Sequence, residues 1–146
     1  MRIALEVRRT LDLRALQAGR RLYLYRLWTR VRFRQTRGWS EDHLAIVDTG
    51  APYSVIPAAI WPALRTQRLA ETPLRGIVPG KDAKVTAVLS RISGQVLDSR
   101  NASFPLKLWA MLVRTESVPL ILGWLGFLDR CKLVLNSPRH SAWLEF

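Results

Sequence analysis

His43-Leu44-Ala45-Ile46-Val47, then Asp48-Thr49-Gly50-Ala51, then Pro52-Tyr53-Ser54-Val55-Ile56-Pro57 is the stretch that decides how this chain is read. An apolar run rich in β-branched residues predicts a strand. It ends on a carboxylate set in a glycine-containing turn, and a second apolar run follows. Asp48 is the only acid in the chain with a long apolar approach on one side and another apolar stretch soon after. A strand that delivers an acid into a tight turn suits the activation of water. The competing account is an ordinary turn aspartate, with Thr49 and Gly50 as turn residues.

Around this stretch the period-2 signal dominates. Ile3, Leu5 and Val7 alternate with polar positions, as do Val31 and Phe33 with Arg30, Arg32 and Arg34. Further strands are expected over 44–47, 84–92, 104–113, 119–122, 133–135 and 142–146. Turn chemistry separates them at Thr36-Arg37-Gly38, Pro79-Gly80-Lys81-Asp82, Ser93-Gly94, Ser99-Arg100-Asn101 and Asn136-Ser137-Pro138. Many short strands with such punctuation predict an all-β domain closed into a barrel, with one or two short helices. Thr10 or Asp12 could cap a short helix that stops at Gly19, and Pro57 could open another that Pro62 limits. Residues 124–130 offer a further helical turn. Residues 1–21 differ in character and are expected to be an N-terminal extension or arm, or else the start of the domain, with the domain proper over 22–146.

At 146 residues, with 49% hydrophobic and 23% charged residues, the chain suits one globular domain. No apolar run approaches a membrane span, and the start, which alternates polar and apolar residues, lacks a signal-peptide core. An Arg-rich start is compatible with a transit peptide, against which Glu6 and Asp12 speak, and a cytoplasmic location is expected. The net charge of +12 permits nucleic acid, anionic lipid or acidic protein as partners. Arginine supplies nearly all of it, with Lys only at 81, 84, 107 and 132, so a compositional drift explains it as well.

Several chemistries lack their residues. Cys131 is the only cysteine, and with His43 and His140 it makes no spaced ligand set, so neither a disulfide nor a metal nor an organic cofactor is expected. There is no nucleophile elbow for a Ser-His-Asp triad. Cys131 beside Leu133-Val134-Leu135 reads as a small core residue rather than a nucleophile.

A carboxylate alone is a weak base. Two held together share one proton, so that one activates water while the other polarises a carbonyl. The chain has one Asp-Thr-Gly, so the second carboxylate has to come from a second copy, and a homodimer becomes a chemical requirement. At this point the residues carry a resemblance. Ala45-Ile46-Val47-Asp48-Thr49-Gly50-Ala51 with Ser54-Val55-Ile56-Pro57, and distally Pro119-Leu120-Ile121-Leu122-Gly123 with Trp124-Leu125-Gly126-Phe127-Leu128, resemble the retropepsin-like (retroviral-type, single-lobe) aspartic proteases over about 31–146.

The resemblance implies an aspartic endopeptidase that cleaves a peptide or protein substrate. It makes Asp48 the catalytic acid/base paired with its symmetry mate, and Thr49 a hydrogen-bonding link to the opposite loop. Gly50 would permit close approach, Ala51 would line the cleft beside substrate, and Ile121, Leu122 and Gly123 would pack under the loop. Coupled titration of the two Asp48 carboxylates then predicts activity in acidic to near-neutral conditions. Where retroviral members carry acids after this segment, the chain has Pro52 and Tyr53, so substrate contacts do not transfer. The flap is expected at Arg75-Gly76-Ile77-Val78-Pro79-Gly80-Lys81, with Ser93-Gly94 as the alternative tip, and the dimer strands at 142–146.

Arg20 to Arg34 interleave cations with Tyr23, Tyr25, Trp28 and Phe33, as a nucleic-acid track would, although a strand with one solvated arginine face gives the same pattern. The rival function is thus an inactive protease-like basic module binding nucleic acid or a protein partner. A third is self-processing, with the basic arm as substrate. Asp48→Asn separates the first two, and trimming at the start of the chain reveals the third.

Overall fold

The computed structural model describes residues 1–74 and 85–146. Ten strands build one sheet: β1 (Arg2–Leu11), β2 (Tyr23–Phe33), β3 (His43–Val47), β4 (Ser54–Ile56), β5 (Thr66–Leu74), β6 (Val85–Leu97), β7 (Leu106–Val113), β8 (Ile121–Leu122), β9 (Lys132–Asn136) and β10 (Ser141–Glu145). Their order is β5-β6-β7-β4-β8-β3-β2-β1-β10-β9, and an added β6–β2 pairing closes six of them into a ring. The all-β closed barrel expected from the alternation is what forms. The short helical pieces are α1 (Leu13–Gln17) and 3-10 turns at Trp61–Ala63, Leu128–Arg130 and Ser137–Arg139.

Local chemistry explains the ends of these elements. The Asp12 carboxylate accepts the N–H groups of Arg14 and Ala15 and so caps α1, and Gly19 leaves it at a φ of +75°. Asp98 accepts from Arg100 and Asn101 and turns the chain after β6. Asn136 accepts from Arg139 in the turn between β9 and β10.

The core lies inside the ring. Phe33, Phe127, Ile3, Ile56, Leu108, Leu112, Leu122 and Leu144 are fully buried in it. Each such side chain contributes roughly 1.5–3 kcal/mol through burial. Residues 2–5 pair with β10 and residues 6–11 with β2, so Ile3 and Leu5 join this core.

Three expectations are corrected. Ser93-Gly94 is neither a turn nor a flap tip: both sit in mid-β6, opposite Lys107 and Leu106 of β7. A Cβ on Gly94 would approach Leu108 Cδ1 to 2.9 Å, so the glycine serves close packing within the strand. β5 had no counterpart in the alternation. Residues 142–146 offer no free dimer edge, since β10 is flanked by β1 and β9. The other flap candidate, Arg75 to Lys81, lies outside the described residues, although β5 and β6 pair antiparallel up to Leu74 and Val85 on either side of it.

Candidate active site

The elements around Asp48 interlock in a way the sequence alone does not display. β3 and β8 run parallel, with Ile46 opposite Ile121 and Val47 opposite Leu122. β8 meets β4 antiparallel at Val55, and β4 in turn runs parallel to β7. The loop 48–53 therefore leaves β3, passes over Gly123, and enters the sheet on the other side of β8.

Asp48 stands one residue past β3. Its N–H donates to the Leu122 carbonyl at 3.0 Å, extending the ladder begun by Ile46 on Leu120. The Asp48 carboxylate is oriented from behind, because Oδ1 accepts the Gly50 N–H at 2.8 Å. The Ala51 N–H closes the turn on the Asp48 carbonyl at 3.3 Å. Asp48 and Ala51 are half-buried, whereas Thr49 and Gly50 are exposed. The four residues expected at the site thus form one continuous turn.

Gly123 lies directly beneath. A Cβ there would sit 2.5 Å from the carbonyl oxygens of both Ala51 and Tyr53. The Gly123 N–H donates to Oγ of the fully buried Ser54 at 3.2 Å. Next along, the N–H groups of Trp124 and Leu125 donate to the carbonyls of Ala51 and Pro52 at 2.9 and 3.0 Å. The Trp124 indole Nε1–H reaches the Thr49 carbonyl at 2.5 Å. Two of these braces, Ser54 Oγ and the Trp124 indole, escape sequence reasoning. The signal for Trp124 was its place right after Leu122-Gly123, and that for Ser54 its place in Ser54-Val55-Ile56-Pro57 after the turn, but neither position announced a brace.

Trp124 and Leu125 remain 46% and 39% exposed, beside the exposed Thr49 and Gly50. An exposed apolar rim therefore borders the half-buried carboxylate. Tyr53, where an acid would follow in retroviral members, packs instead with Val55, Met111 and Val113 in a second small core. Two concavities among the described residues, about 660 and 310 Å³, are lined by other residues than these.

The other chemistry-bearing groups lie elsewhere. Burial, and then the charge of Asp129, push the Cys131 thiol up to about 11, and its Sγ donates to the Phe127 carbonyl at 3.5 Å. It is a neutral thiol packed against the core, unsuited to nucleophilic attack. His43 stacks on Phe33 and His140 packs against Tyr25. Among the described residues no three His, Cys, Asp or Glu side chains cluster as metal ligands, and no helix is long and apolar enough to cross a membrane.

A family model described as retroviral aspartyl protease matches residues 27–132. The match covers most of the chain, from within β2 to the first residue of β9. No curated protein matches the chain.

Proposed function

The chain belongs to the retroviral aspartyl protease family, and from that premise we propose that it is an aspartic endopeptidase whose site forms when two copies bring their Asp48 carboxylates together. The observation that carries this reading is the turn itself. One carboxylate is oriented by the Gly50 amide at the end of a core strand, with Gly123 packed beneath it and an exposed rim of Thr49, Gly50, Trp124 and Leu125 around it.

The chemistry follows from pairing. Two carboxylates at close range hold one proton between them. The ionised Asp48 takes a proton from a bound water as its oxygen attacks the peptide carbonyl carbon. The partner subunit's Asp48, protonated, gives its proton to the carbonyl oxygen, and a neutral tetrahedral diol results. In collapse the C–N bond breaks as the amine nitrogen takes a proton from the first carboxyl and the partner subunit's Asp48 carboxylate takes one from a diol hydroxyl, so a carboxylic acid and an amine leave and the starting protonation is restored. Thr49 links the two turns, Gly50 keeps the approach open, and Ala51 borders the substrate backbone. The chain supplies all the groups used, with no metal or organic cofactor in the scheme.

Asp48→Asn tests this. A peptide library should be cleaved by the wild-type chain and left intact by the variant, while both elute as dimers. Equal cleavage by the two proteins would refute the assignment.

A further inference from the structure

At the end of the barrel away from Asp48 lies the cavity of about 660 Å³, and its lining includes Arg34, Arg65, Arg91 and Lys107 together with Trp39, with no carboxylate among the described residues that line it. It is separate from the proposed active site. Leu27 of β2 pairs with Val47, next to Asp48, while Arg34 lies seven residues further along the same extended segment. At about 3.3 Å per residue that is a separation of roughly 23 Å.

The floor is the outer face of β5, β6 and β7. Gln67, Arg91 and Trp109 stand in one row across the three strands, and Ser93 faces Lys107 in the next. The wall is the turn after β2, where Arg34 bridges Trp39. Backbone bonds tie wall to floor, from the Arg34 N–H to the Ser93 carbonyl at 2.8 Å and from the Arg65 N–H to the Arg34 carbonyl at 3.0 Å. The site is therefore built on strands and held in shape, with its four cations exposed. None of the four forms an ion pair with a described residue, whereas Arg2 and Lys132 pair with Glu145, and Arg8 with Glu6.

Four like charges gathered around one concavity repel one another, and an anion placed among them relieves this. Three of them are guanidinium groups, whose planar forks match phosphate oxygens in pairs. Beside them the Trp39 ring carries the guanidinium groups of Arg32 and Arg34 at 5.5 and 5.6 Å from its centroid. Guanidinium groups gathered beside an indole offer planar surfaces on which a nucleobase can stack. We propose that this cavity binds a phosphate-bearing, base-bearing ligand, either a nucleotide or a segment of single-stranded nucleic acid. The volume suits a ligand of nucleotide size. An acidic peptide would satisfy the charges and leave the stacked indole unused.

The test measures polarisation of a fluorescein-labelled uridine 20-mer against the full chain at 50 and 200 mM salt, with ATP and poly-glutamate as competitors. Arg65→Gln with Arg91→Gln should weaken oligomer binding at least about tenfold and flatten the salt slope by about 1.4, the loss of two phosphate contacts. Arg20→Gln with Arg21→Gln removes the same charge outside the cavity and should weaken it no more than about threefold. Trp39→Leu should lose about five- to 150-fold with the salt slope kept, as a stacking contact does. Lys107→Gln alone, on an exposed side chain, should lose about threefold and flatten the salt slope by about 0.7, where Arg20→Gln alone leaves both unchanged, and this pair serves if the double variant melts early. Displacement by ATP identifies a mononucleotide site, and resistance to ATP identifies a strand site; either supports the proposal. Equal losses from both arginine pairs, displacement by poly-glutamate as effective as by unlabelled oligomer, or no binding at all would each overturn it.

Discussion

A Cβ on Gly123 would lie 2.5 Å from the carbonyl oxygen of Ala51, far inside van der Waals contact. The segment just past β8 that carries Gly123 and the turn that carries Asp48 are thus packed backbone on backbone. Gly123→Ala has to push the turn outward. We expect a loss of about 2–3 kcal/mol in urea denaturation, and peptidase activity below detection. Gly50→Ala differs, because its Cβ would meet only the movable Asp48 Oδ1, at 3.2 Å. That variant should fold normally and lose activity through misplacement of the carboxylate.

Trp124 braces the same turn from the side through its indole N–H on the Thr49 carbonyl. Trp124→Phe keeps the ring's apolar area and removes only that donor. The expected stability loss is about 1 kcal/mol, read as a small drop in melting temperature. Activity should fall by a larger factor, since Thr49 belongs to the turn that holds Asp48.

Asp98 joins the first strand to the turn after β6. Its Oδ2 accepts the Ala4 N–H at 2.8 Å, and its Oδ1 accepts those of Arg100 and Asn101 at 2.7 Å. Desolvation raises its pKa, but these three hydrogen bonds and the Arg100 charge outweigh it and hold the carboxyl below its ordinary value. A depressed folded pKa adds stability above the unfolded value of about 3.9 and loses it as pH falls through the folded one. Asp98→Asn should therefore melt below wild type at pH 7, and the gap should close below about pH 4.

Cys131 should behave as an inert core thiol. With its pKa pushed up to about 11 by burial and then by Asp129, it should react slowly with iodoacetamide at pH 8 and quickly once urea unfolds the chain. Cys131→Ala should leave peptidase activity unchanged, which separates an Asp48 enzyme from a thiol enzyme.

What was legible in the sequence, and what was not, follows from packing. β1, β3, β7 and β10 bury one face or both, so Ile3-Leu5 and Ala45-Val47 showed in the apolar pattern. β5 pairs only with β6, and its residues Gln67, Arg68, Leu69 and Ala70 are exposed, so no alternation marked it. Gly94 misled because a glycine that admits a neighbouring side chain reads, in one dimension, like a glycine that turns the chain. At the site, the turn 48–51 was visible because its residue types are constrained by backbone shape. Ser54 and Trp124 were not, because each acts on a partner 69 or 75 positions away. The cavity on the far side gathers residues from three strands and the segments that flank them, and no local pattern announces it.

The pairing of Asp48 with its own copy is tested most directly by mixing. Wild-type chain at fixed concentration is dissociated and reassociated with an equal amount of Asp48→Asn chain, and peptide cleavage is measured. A site needing both carboxylates predicts that activity falls to about half, because half of the wild-type chains end in inactive mixed dimers. Activity unchanged by the added variant would mean that each chain works alone, and would contradict the shared site.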